Sequence, residues 1–292
     1  MSAVIMDGKA LGLKIREGVK EKASALKEKG ITPCLAVILV GEDPASLSYV
    51  KSKEKALHEA GMESRDIRLP EKTSEDQLLS IIADLNNDEK VHGILVQSPV
   101  PKHISEEKVN QAVSPKKDVD CFHPESVGNM VLGRQGFFPC TPHGVLMLLR
   151  EYDIPVAGAH VVVIGRSNIV GKPMANLLIR REYNATVTLC HTGTKDLKAF
   201  TLQADIVIAA AGSPGMIKPD MIKDGAVVID VGINRVSDTS APKGYRLCGD
   251  ADPAVMRKCS FFTPVPGGVG PMTIAMLLNN VIEASNKFEK KI

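Results

Sequence analysis

The sequence predicts an α/β protein of two domains, each with a parallel sheet flanked by helices. Three observations support this fold class. First, short and continuously apolar runs such as "CLAVILV" at 34–40 are typical of buried parallel strands. Second, amphipathic segments with helical periodicity alternate with these runs. Third, the alternation occurs in two series, and a chain of 292 residues is long enough for two domains of ordinary size.

The first series begins with an amphipathic helix that ends at Gly30 and leads into the apolar run at 34–40. A helix follows, for which Asp43 is the predicted N-cap, Pro44 the first turn and Gly61 the end. The next predicted elements are a strand in "SRDIRLP", a helix in "SEDQLLSIIADLN" and a strand in "HGILVQ". This order favours a parallel sheet with helices on its faces.

The second series begins with the strand "HVVVIG" and a helix from Gly171. The strands "ATVTLC", "ADIVIAAAG" and "GAVVIDVG" follow, with a short helix after the first of them. The turn-rich stretch at 136–144 is the predicted boundary between the two series. The last segment, 271–290, has the periodicity of one long helix, which by pattern alone could belong to either domain.

Charge and composition argue against several classes of function. The net charge is only +2 and no basic block stands out, so we expect neither a nucleic-acid partner nor a membrane partner. No apolar run approaches the roughly 18 residues that span a bilayer, and the first residues do not resemble a signal peptide. The six cysteines are scattered without C-x-x-C pairs, which predicts no metal site and no disulfide framework and favours the reducing cytoplasm.

Lys53 breaks the amphipathic pattern of the second helix. The apolar face of that helix is predicted to consist of Tyr49, Val50, Ala56, Leu57 and Ala60. Lys53 falls in the middle of this face. Its stem could lie along the apolar surface with the ammonium group in water. Alternatively, the amine is directed away from bulk water, where lost solvation makes its neutral form more accessible and suits it to proton transfer.

The stretch at 161–178 reads as a strand, a glycine turn and the start of a helix, which is where α/β folds bind pyrophosphate. Gly165 and Gly171 are six residues apart, so the spacing is not G-x-G-x-x-G, and a plain strand-to-helix connection is the alternative. The next strand ends in "HTGTK" without an acid to hold ribose hydroxyls. Because Arg166 offers a cation for a 2′-phosphate, the pattern favours NADP, although Thr192 could be an ordinary turn residue.

A second group of polar residues follows the strands of the first series. Gln97 lies at the end of a strand, where parallel sheets gather functional groups, or is simply structural. Asp118 and Asp120 lie in a loop, where they either bind a ligand or are simply solvated. The glycines and prolines of 263–273 either let the backbone approach a ligand closely or form a rigid turn.

Six motifs, together and in their order, resemble those of the methylenetetrahydrofolate dehydrogenase/cyclohydrolase family. They are "YVKSK", "GILVQSPVP", "KKDVDCF", "GRSNIVGKP", "VIDVGIN" and "TPVPGGVGPMT", and they span nearly the full chain. The resemblance implies a folate-binding catalytic domain of residues 1–143 and 273–292 and a Rossmann-like NADP-binding domain of residues 144–272. It also implies a folate cleft between the domains and a homodimer formed through the NADP domain.

The same resemblance implies roles for individual residues. Lys53 would be the key catalytic side chain, with Gln97 contacting and tuning it and Tyr49 beside the aminobenzoyl part of folate. Asp120 would hold the pterin, whose edge presents an N–H and an NH₂ that a carboxylate can accept together. These four are the implied catalytic residues. Cys121 stands where the family usually has glycine, and we expect its side chain to move the Asp120 loop slightly.

The resemblance also implies two sets of binding residues. The implied substrate contacts are Tyr49, Lys53, Val96, Gln97, Ser98, Asp120, Pro266, Gly267 and Gly268. The implied NADP contacts are Gly165, Arg166, Ser167, Thr192 and Ile233.

The implied function has two steps and belongs to one-carbon metabolism and purine biosynthesis. NADP-dependent oxidation of 5,10-methylenetetrahydrofolate gives the methenyl cation, which is then hydrolysed to 10-formyltetrahydrofolate. A monofunctional dehydrogenase is one rival, against which the presence of both Lys53 and Gln97 argues. A non-catalytic protein that binds folate or nucleotide is the other.

Overall fold

The computed structural model describes residues 3–241 and 244–289, which divide into two compact units. The first unit contains Leu13–Cys140 and the described residues from Ile274 onward. The second unit contains the described residues up to Gly12 together with Thr141–Thr273. Both units are α/β, which confirms the predicted fold class.

In chain order the elements are β1 (Val4–Ile5), α1 (Gly8–Glu28), β2 (Cys34–Val40), α2 (Pro44–Glu59), β3 (Glu63–Leu69), α3 (Glu75–Asn87), β4 (Gly93–Val96), α4 (Glu106–Ala112), α5 (Pro124–Val131), α6 (Cys140–Glu151), β5 (His160–Ile164), α7 (Gly171–Leu178), β6 (Thr186–Cys190), α8 (Leu197–Thr201), β7 (Ile206–Ala209), β8 (Val227–Asp230), β9 (Asn234–Ser237), β10 (Tyr245–Cys248), β11 (Phe261–Phe262) and α9 (Val269–Glu289). Short 3₁₀ helices occupy Pro219–Met221 and Pro253–Arg257.

The first unit is built on a parallel three-stranded sheet in the order β3-β2-β4. Every residue of β2 is buried, because this central strand has a strand on either side and helices against its faces. Helix α2 begins as expected, with the Asp43 carboxylate accepting from the Ser46 N–H at 2.8 Å and Pro44 in the first turn. Gly61 follows the helix in a left-handed conformation with φ of +72°, which glycine adopts at little cost.

The second unit is built on a parallel six-stranded sheet in the order β1-β11-β8-β7-β5-β6. In the register of this sheet Ile164 pairs with both Cys190 and Ala209, and Ala209 pairs with Asp230. The strands β5, β6, β7 and β8 therefore end level with one another. The residues that follow them in sequence gather at one edge of the sheet. Strands β9 and β10 form a separate antiparallel pair.

The start of the chain differs from the predicted domain division. Residues 1–143 were expected to lie in one domain, yet Val4 and Ile5 form β1, which pairs with β11 in the sheet of the second unit. A strand of two residues is too short to show a periodicity, so its long-range partner cannot be read from the local sequence. The units divide at Cys140 and Thr141, within the predicted boundary stretch at 136–144, although helix α6 already begins there.

None of the helices in the described part of the chain is both long and apolar enough to cross a membrane.

Candidate functional site

Lys53 and Gln97 form a direct hydrogen bond in the first unit. The Lys53 Nζ donates to the Gln97 Oε1 at 3.1 Å, joining helix α2 to the residue that follows β4. The Gln97 Nε2 donates to the Ser98 carbonyl at 2.8 Å, which leaves the Oε1 directed at the amine. Lys53 is half-buried, in contrast to the exposed Lys51 two residues earlier on the same helix. The amine is therefore held at the end of a strand rather than left in bulk water.

Val96 and Tyr49, two further implied folate contacts, lie on the same two elements as this pair. Val96 is the last residue of β4 and pairs with Ile38 of the buried strand β2. Tyr49 lies one helical turn before Lys53 on α2, so the two side chains share a face of that helix. The Tyr49 side chain is 47% exposed, although the pattern places it on the apolar face. An aromatic ring left open to solvent beside a half-buried amine is available for ligand contact.

Asp120 lies in the loop before helix α5 and is contacted by a buried thiol. The Cys140 Sγ lies 3.5 Å from the Asp120 Oδ1 and, equally, 3.5 Å from the Val119 carbonyl oxygen. Burial, and then the charge of Asp120, raises the pKa of the Cys140 thiol well above its ordinary value, while the charge of Lys53 acts in the opposite direction. The thiol therefore stays protonated and serves as a donor to the carboxylate.

The two acids of this loop have different surroundings. Asp118 is buried, and its carboxylate accepts from the N–H groups of Phe122 at 3.0 Å and His123 at 2.8 Å. Burial raises the pKa of Asp118, and these hydrogen bonds partly offset the rise. Asp118 thus has a structural role, because its carboxylate fixes the backbone of this loop. Asp120 is only half-buried, and its carboxylate can still accept hydrogen bonds from a ligand.

Cys121 occupies a backbone conformation that favours glycine. Its φ is +61°, in the left-handed region. The side chain is buried and its Sγ donates to the Phe137 carbonyl at 3.2 Å, which helps to offset the conformational cost. Cys121 thus replaces the family's usual glycine but keeps the left-handed backbone conformation typical of glycine directly after Asp120.

Asn280 is a site neighbour that the sequence interpretation missed. Its Nδ2 donates to the carbonyls of Val119 at 2.8 Å and Phe138 at 3.0 Å, and it lies 3.7 Å from the Cys140 Sγ. These contacts tie helix α9 to the residue before Asp120 and to the segment that precedes α6. A signal was present, because Asn280 is a polar residue on an otherwise apolar helix face, as Lys53 is on α2.

The second unit presents a glycine-lined turn at the edge where β5 to β8 end. Gly165 follows β5 with φ of +115°, and a Cβ there would lie 2.0 Å from the Ala210 carbonyl oxygen. A Cβ at Gly171, the first residue of α7, would lie 1.9 Å from the Gly165 carbonyl oxygen. Only glycine allows this close approach of backbone to backbone. The turn thus packs against the loop after β7 and leads directly into a helix N-terminus, a geometry that suits an anion.

The other predicted cofactor contacts lie at the same edge of the sheet. Arg166 and Ser167 follow Gly165, and Thr192 follows β6; all three are exposed. Ile233 lies three residues after the end of β8 and is 47% exposed. The Ser167 Oγ accepts from the Val170 N–H at 3.1 Å, so part of its capacity is used to start α7. The level ends of the strands, rather than nearness in sequence, bring these residues to one edge.

Pro266, Gly267 and Gly268 lie in the second unit, not in the unit that contains Lys53. Gly267 has φ of +109°, and a Cβ at Gly268 would lie 2.6 Å from the Pro264 carbonyl oxygen. The Lys9 N–H donates to the Gly267 carbonyl at 3.0 Å. Local packing alone therefore accounts for these glycines, and a substrate contact here stays a prediction.

Asp230 and Asp250 are two buried acids that the sequence interpretation did not single out. Burial raises the pKa of Asp230 to about 6, against the opposing effect of its backbone hydrogen bonds. Asp230 is the last residue of the buried strand β8, so its position at the edge of the sheet where β5 to β8 end can be predicted from the sequence. The position of its partner, Asp250, shows no such signal in the local sequence.

Among the described residues, no cluster of three or more His, Cys, Asp or Glu side chains is placed to hold a metal ion. All six cysteines are free.

Comparisons with known proteins agree with this arrangement. Residues 6–120 match the model of the tetrahydrofolate dehydrogenase/cyclohydrolase catalytic domain. Residues 139–289 match that of the tetrahydrofolate dehydrogenase/cyclohydrolase NAD(P)-binding domain. The bifunctional protein FolD of Campylobacter concisus is 57% identical over 282 residues, covering 96% of this chain and 97% of that protein.

Solved structures give the same result. The bifunctional enzyme FolD of Campylobacter jejuni superposes with a TM-score of 0.94 at 50% identity, over 98% of this chain and 99% of that one. The FolD of Trypanosoma brucei, solved with NADP cofactor and inhibitor, superposes with a TM-score of 0.93 at 38% identity, over 98% of each chain. With both family models matched and relatives alike over nearly their whole length, the chain belongs to the tetrahydrofolate dehydrogenase/cyclohydrolase family.

Proposed function

We propose that the first unit binds the folate and that Lys53 moves the protons of its hydrolysis. The enzyme is a methylenetetrahydrofolate dehydrogenase and methenyltetrahydrofolate cyclohydrolase. In its first step the one-carbon bridge of 5,10-methylenetetrahydrofolate loses a hydride and becomes the methenyl cation. NADP⁺, when bound, supplies the redox chemistry by accepting that hydride.

The second step is a hydrolysis. Water adds to the methenyl carbon, the bond from that carbon to N5 breaks, and 10-formyltetrahydrofolate and one proton result. A proton must leave the attacking water and N5 must gain one, so a group that both donates and accepts protons accelerates this step. An amine can act in this way, whereas a guanidinium can hardly lose its proton.

The observation that carries this proposal is the 3.1 Å hydrogen bond from the Lys53 Nζ to the Gln97 Oε1. Because the Gln97 amide is itself held by the Ser98 carbonyl, it fixes the position of the amine. The Gln97 Oε1 accepts a hydrogen bond from the Lys53 amine but carries no charge. Lys53 is therefore held in position without forming an ion pair with a carboxylate. A lysine that merely extends its stem along the surface would not need such a partner.

We assign Asp120 to the pterin, where its carboxylate accepts the adjacent N–H and NH₂ groups. Tyr49 would lie against the aminobenzoyl ring, for which its exposed face is suited. Val96 and Ser98 complete the folate contacts of this unit. Pro266, Gly267 and Gly268 remain proposed contacts from the second unit.

The cofactor is NADP, and the residues at the edge of the larger sheet fit it. The Gly165 turn leaves no space for a side chain, so backbone and a helix N-terminus are presented to the pyrophosphate. Arg166 supplies a cation for the 2′-phosphate, and β6 is followed by His191, Thr192 and Thr194 rather than by an acid. We propose that Ser167, Thr192 and Ile233 also contact the cofactor.

We further propose the setting in which the enzyme works. The free cysteines suit a reducing cytoplasm, and a net charge of +2 gives nucleic acid no particular attraction. The second unit would form the contact of a homodimer. The product carries an activated formyl group, so purine biosynthesis is a proposed consumer.

A coupled absorbance assay tests the function. NADPH formation and methenyl-folate decay are followed separately in the purified protein. We expect both activities. Dehydrogenation without hydrolysis would identify a monofunctional enzyme, and ligand binding without turnover would identify a binding protein; either result contradicts the proposal.

A further inference from the structure

The Asp250 carboxylate is surrounded by donors from the loop that follows β7 and from Asn234, the first residue of β9, where the loop after β8 ends. Its Oδ2 accepts from the N–H groups of Ala211 at 2.7 Å and Gly212 at 2.9 Å. Its Oδ1 accepts from the Ser213 N–H at 2.8 Å and from the Asn234 Nδ2 at 2.9 Å. Asp250 is fully buried, so one side chain fixes three consecutive peptide groups and the loop that carries Ile233.

Asp230 in turn fixes Asp250. Its carboxylate accepts from the backbone N–H groups of Asp250 at 2.9 Å, Ala251 at 2.8 Å and Gly232 at 3.0 Å. The two acids therefore form a chain of hydrogen bonds that begins at the end of β8 and ends in the loop after β7. Each oxygen of both carboxylates has a donor, so this buried pair is satisfied rather than strained.

Two glycines make room for these carboxylates. A Cβ at Gly232 would lie 2.3 Å from the Asp250 Oδ1, and a Cβ at Gly249 would lie 1.9 Å from the Asp230 Oδ2. The backbone at these two glycines thus packs directly against the two carboxylates. A shift of either carboxylate would be transmitted to the backbone of the loops.

The order of the strands indicates which half of a dinucleotide these loops face. Arg166 belongs to the glycine turn after β5, and Thr192 follows β6, on one side of that turn. The loops fixed by Asp250 follow β7 and β8, on the other side. A dinucleotide bound across the carboxyl ends of a parallel sheet has its two halves on opposite sides of that turn. With the 2′-phosphate at Arg166, the nicotinamide half lies over β7 and β8.

We propose that Asp250, held by Asp230, is a positioning residue that fixes the loops after β7 and β8 for the nicotinamide half of NADP. This inference rests on the proposed cofactor function. It goes further by assigning a task to two acids that are too deeply buried to meet the cofactor themselves.

The test compares two probes, NADP⁺ and its adenosine fragment 2′,5′-ADP, by titration calorimetry with purified enzyme. In Asp250→Asn the amide NH₂ faces two N–H donors in either orientation, so we expect the affinity for NADP⁺ to fall about tenfold or more. The affinity for 2′,5′-ADP should stay within about twofold, because that fragment does not reach the fixed loops. In Asp230→Asn the NH₂ can take the place of Oδ2, where it faces only the Ala251 N–H, so the effect of this variant on NADP⁺ affinity should be smaller.

Two further variants complete the experiment. Asp252→Asn is the matched control, because this neighbouring carboxylate accepts from Ala254 and pairs with Lys218 without contacting the loops. It should bind both probes as the unmodified enzyme does. Asn234→Ala removes one donor to Asp250 and replaces Asp250→Asn in the test if that variant does not fold. We expect its affinity for NADP⁺ to fall about threefold and its affinity for 2′,5′-ADP to be unchanged.

Equal weakening of both probes, or no weakening of NADP⁺, would overturn the positioning role. Failure of the unmodified enzyme to bind either probe would instead refute the proposed cofactor function.

Discussion

The two units prepare their sites in different ways. In the first unit side chains from distant segments converge, as when Lys53 and Gln97 meet across 44 residues of sequence. In the second unit the proposed cofactor site consists mainly of backbone, because Gly165 and Gly171 leave no space for a Cβ. The difference suits the two tasks. Proton transfer needs particular functional groups, whereas holding an anionic cofactor needs N–H groups and a helix N-terminus at close range.

Substitutions that preserve shape but change chemistry should damage the first unit, and addition of a single methyl group should damage the second.

The largest effect is expected at Lys53. Lys53→Met keeps the apolar stem but removes the proton carrier, and Lys53→Arg keeps the charge but hardly releases a proton. Methenyl-folate hydrolysis should fall about 10²–10⁴-fold in both. Dehydrogenation, which needs no proton from this residue, should survive in part, more so in Lys53→Arg. The matched control is Lys51→Met on the exposed face of the same helix, which should hydrolyse normally.

Asp120→Asn should weaken folate binding more than cofactor binding. The amide keeps the shape, but its NH₂ cannot accept from the pterin edge. Loss of a partly desolvated charged partner costs about 2–5 kcal/mol of binding free energy. Calorimetric titration with folate and with NADP⁺ separates the two effects, and Asp84→Asn, an exposed acid of α3, serves as the control. Unchanged folate affinity with reduced NADP⁺ affinity would mean that the carboxylate serves the other ligand.

Gly165→Ala tests the backbone site. The new Cβ would lie 2.0 Å from the Ala210 carbonyl oxygen at φ of +115°, so the turn must move. We expect the free energy of unfolding to fall by about 2–4 kcal/mol, with a parallel loss of NADP⁺ affinity. Gly158→Ala has φ of +77° but no atom within 4 Å of the new Cβ, and should cost only about 1 kcal/mol. Denaturant unfolding of both variants measures the difference; equal losses would show that conformational strain, not crowding, controls this turn.

Arg166→Ala should reduce the preference for NADP⁺ over NAD⁺ about tenfold or more, because a charge-assisted contact to the 2′-phosphate is lost. The ratio of kcat/KM for the two cofactors measures it, with Arg181→Ala, an exposed arginine of the same unit, as control. Equal efficiency of both cofactors in the unmodified enzyme would show that Arg166 does not select the phosphate.

Much of the fold could be predicted because its signals are local. The buried strand β2, the capped helix α2 and the helix that begins at Gly171 each show their periodicity or end signals within a few residues. Strand β1 could not be predicted, since its two residues are defined only by pairing with β11 at the other end of the chain.

The residues of the candidate site also differ in whether a local sequence signal marks them. Lys53 is conspicuous as a charge on an apolar face, and Asn280 carries the same signal, although it was overlooked. Asp250 has no local signal, because its partners at 211–213 lie 37 to 39 residues away and are backbone groups. A carboxylate that binds backbone leaves no complementary residue type in the sequence.

We propose that proton chemistry belongs to Lys53 in the first unit and cofactor selection to Arg166 in the second. The most direct measurement is the rate of methenyl-folate hydrolysis in the absence of any cofactor, for purified and folded Lys53→Met and Arg166→Ala. Arg166→Ala should retain the unmodified rate within about twofold, while Lys53→Met should fall to about 1% or less. Undiminished hydrolysis in Lys53→Met would contradict the account and leave Lys53 as a lysine that only covers apolar surface.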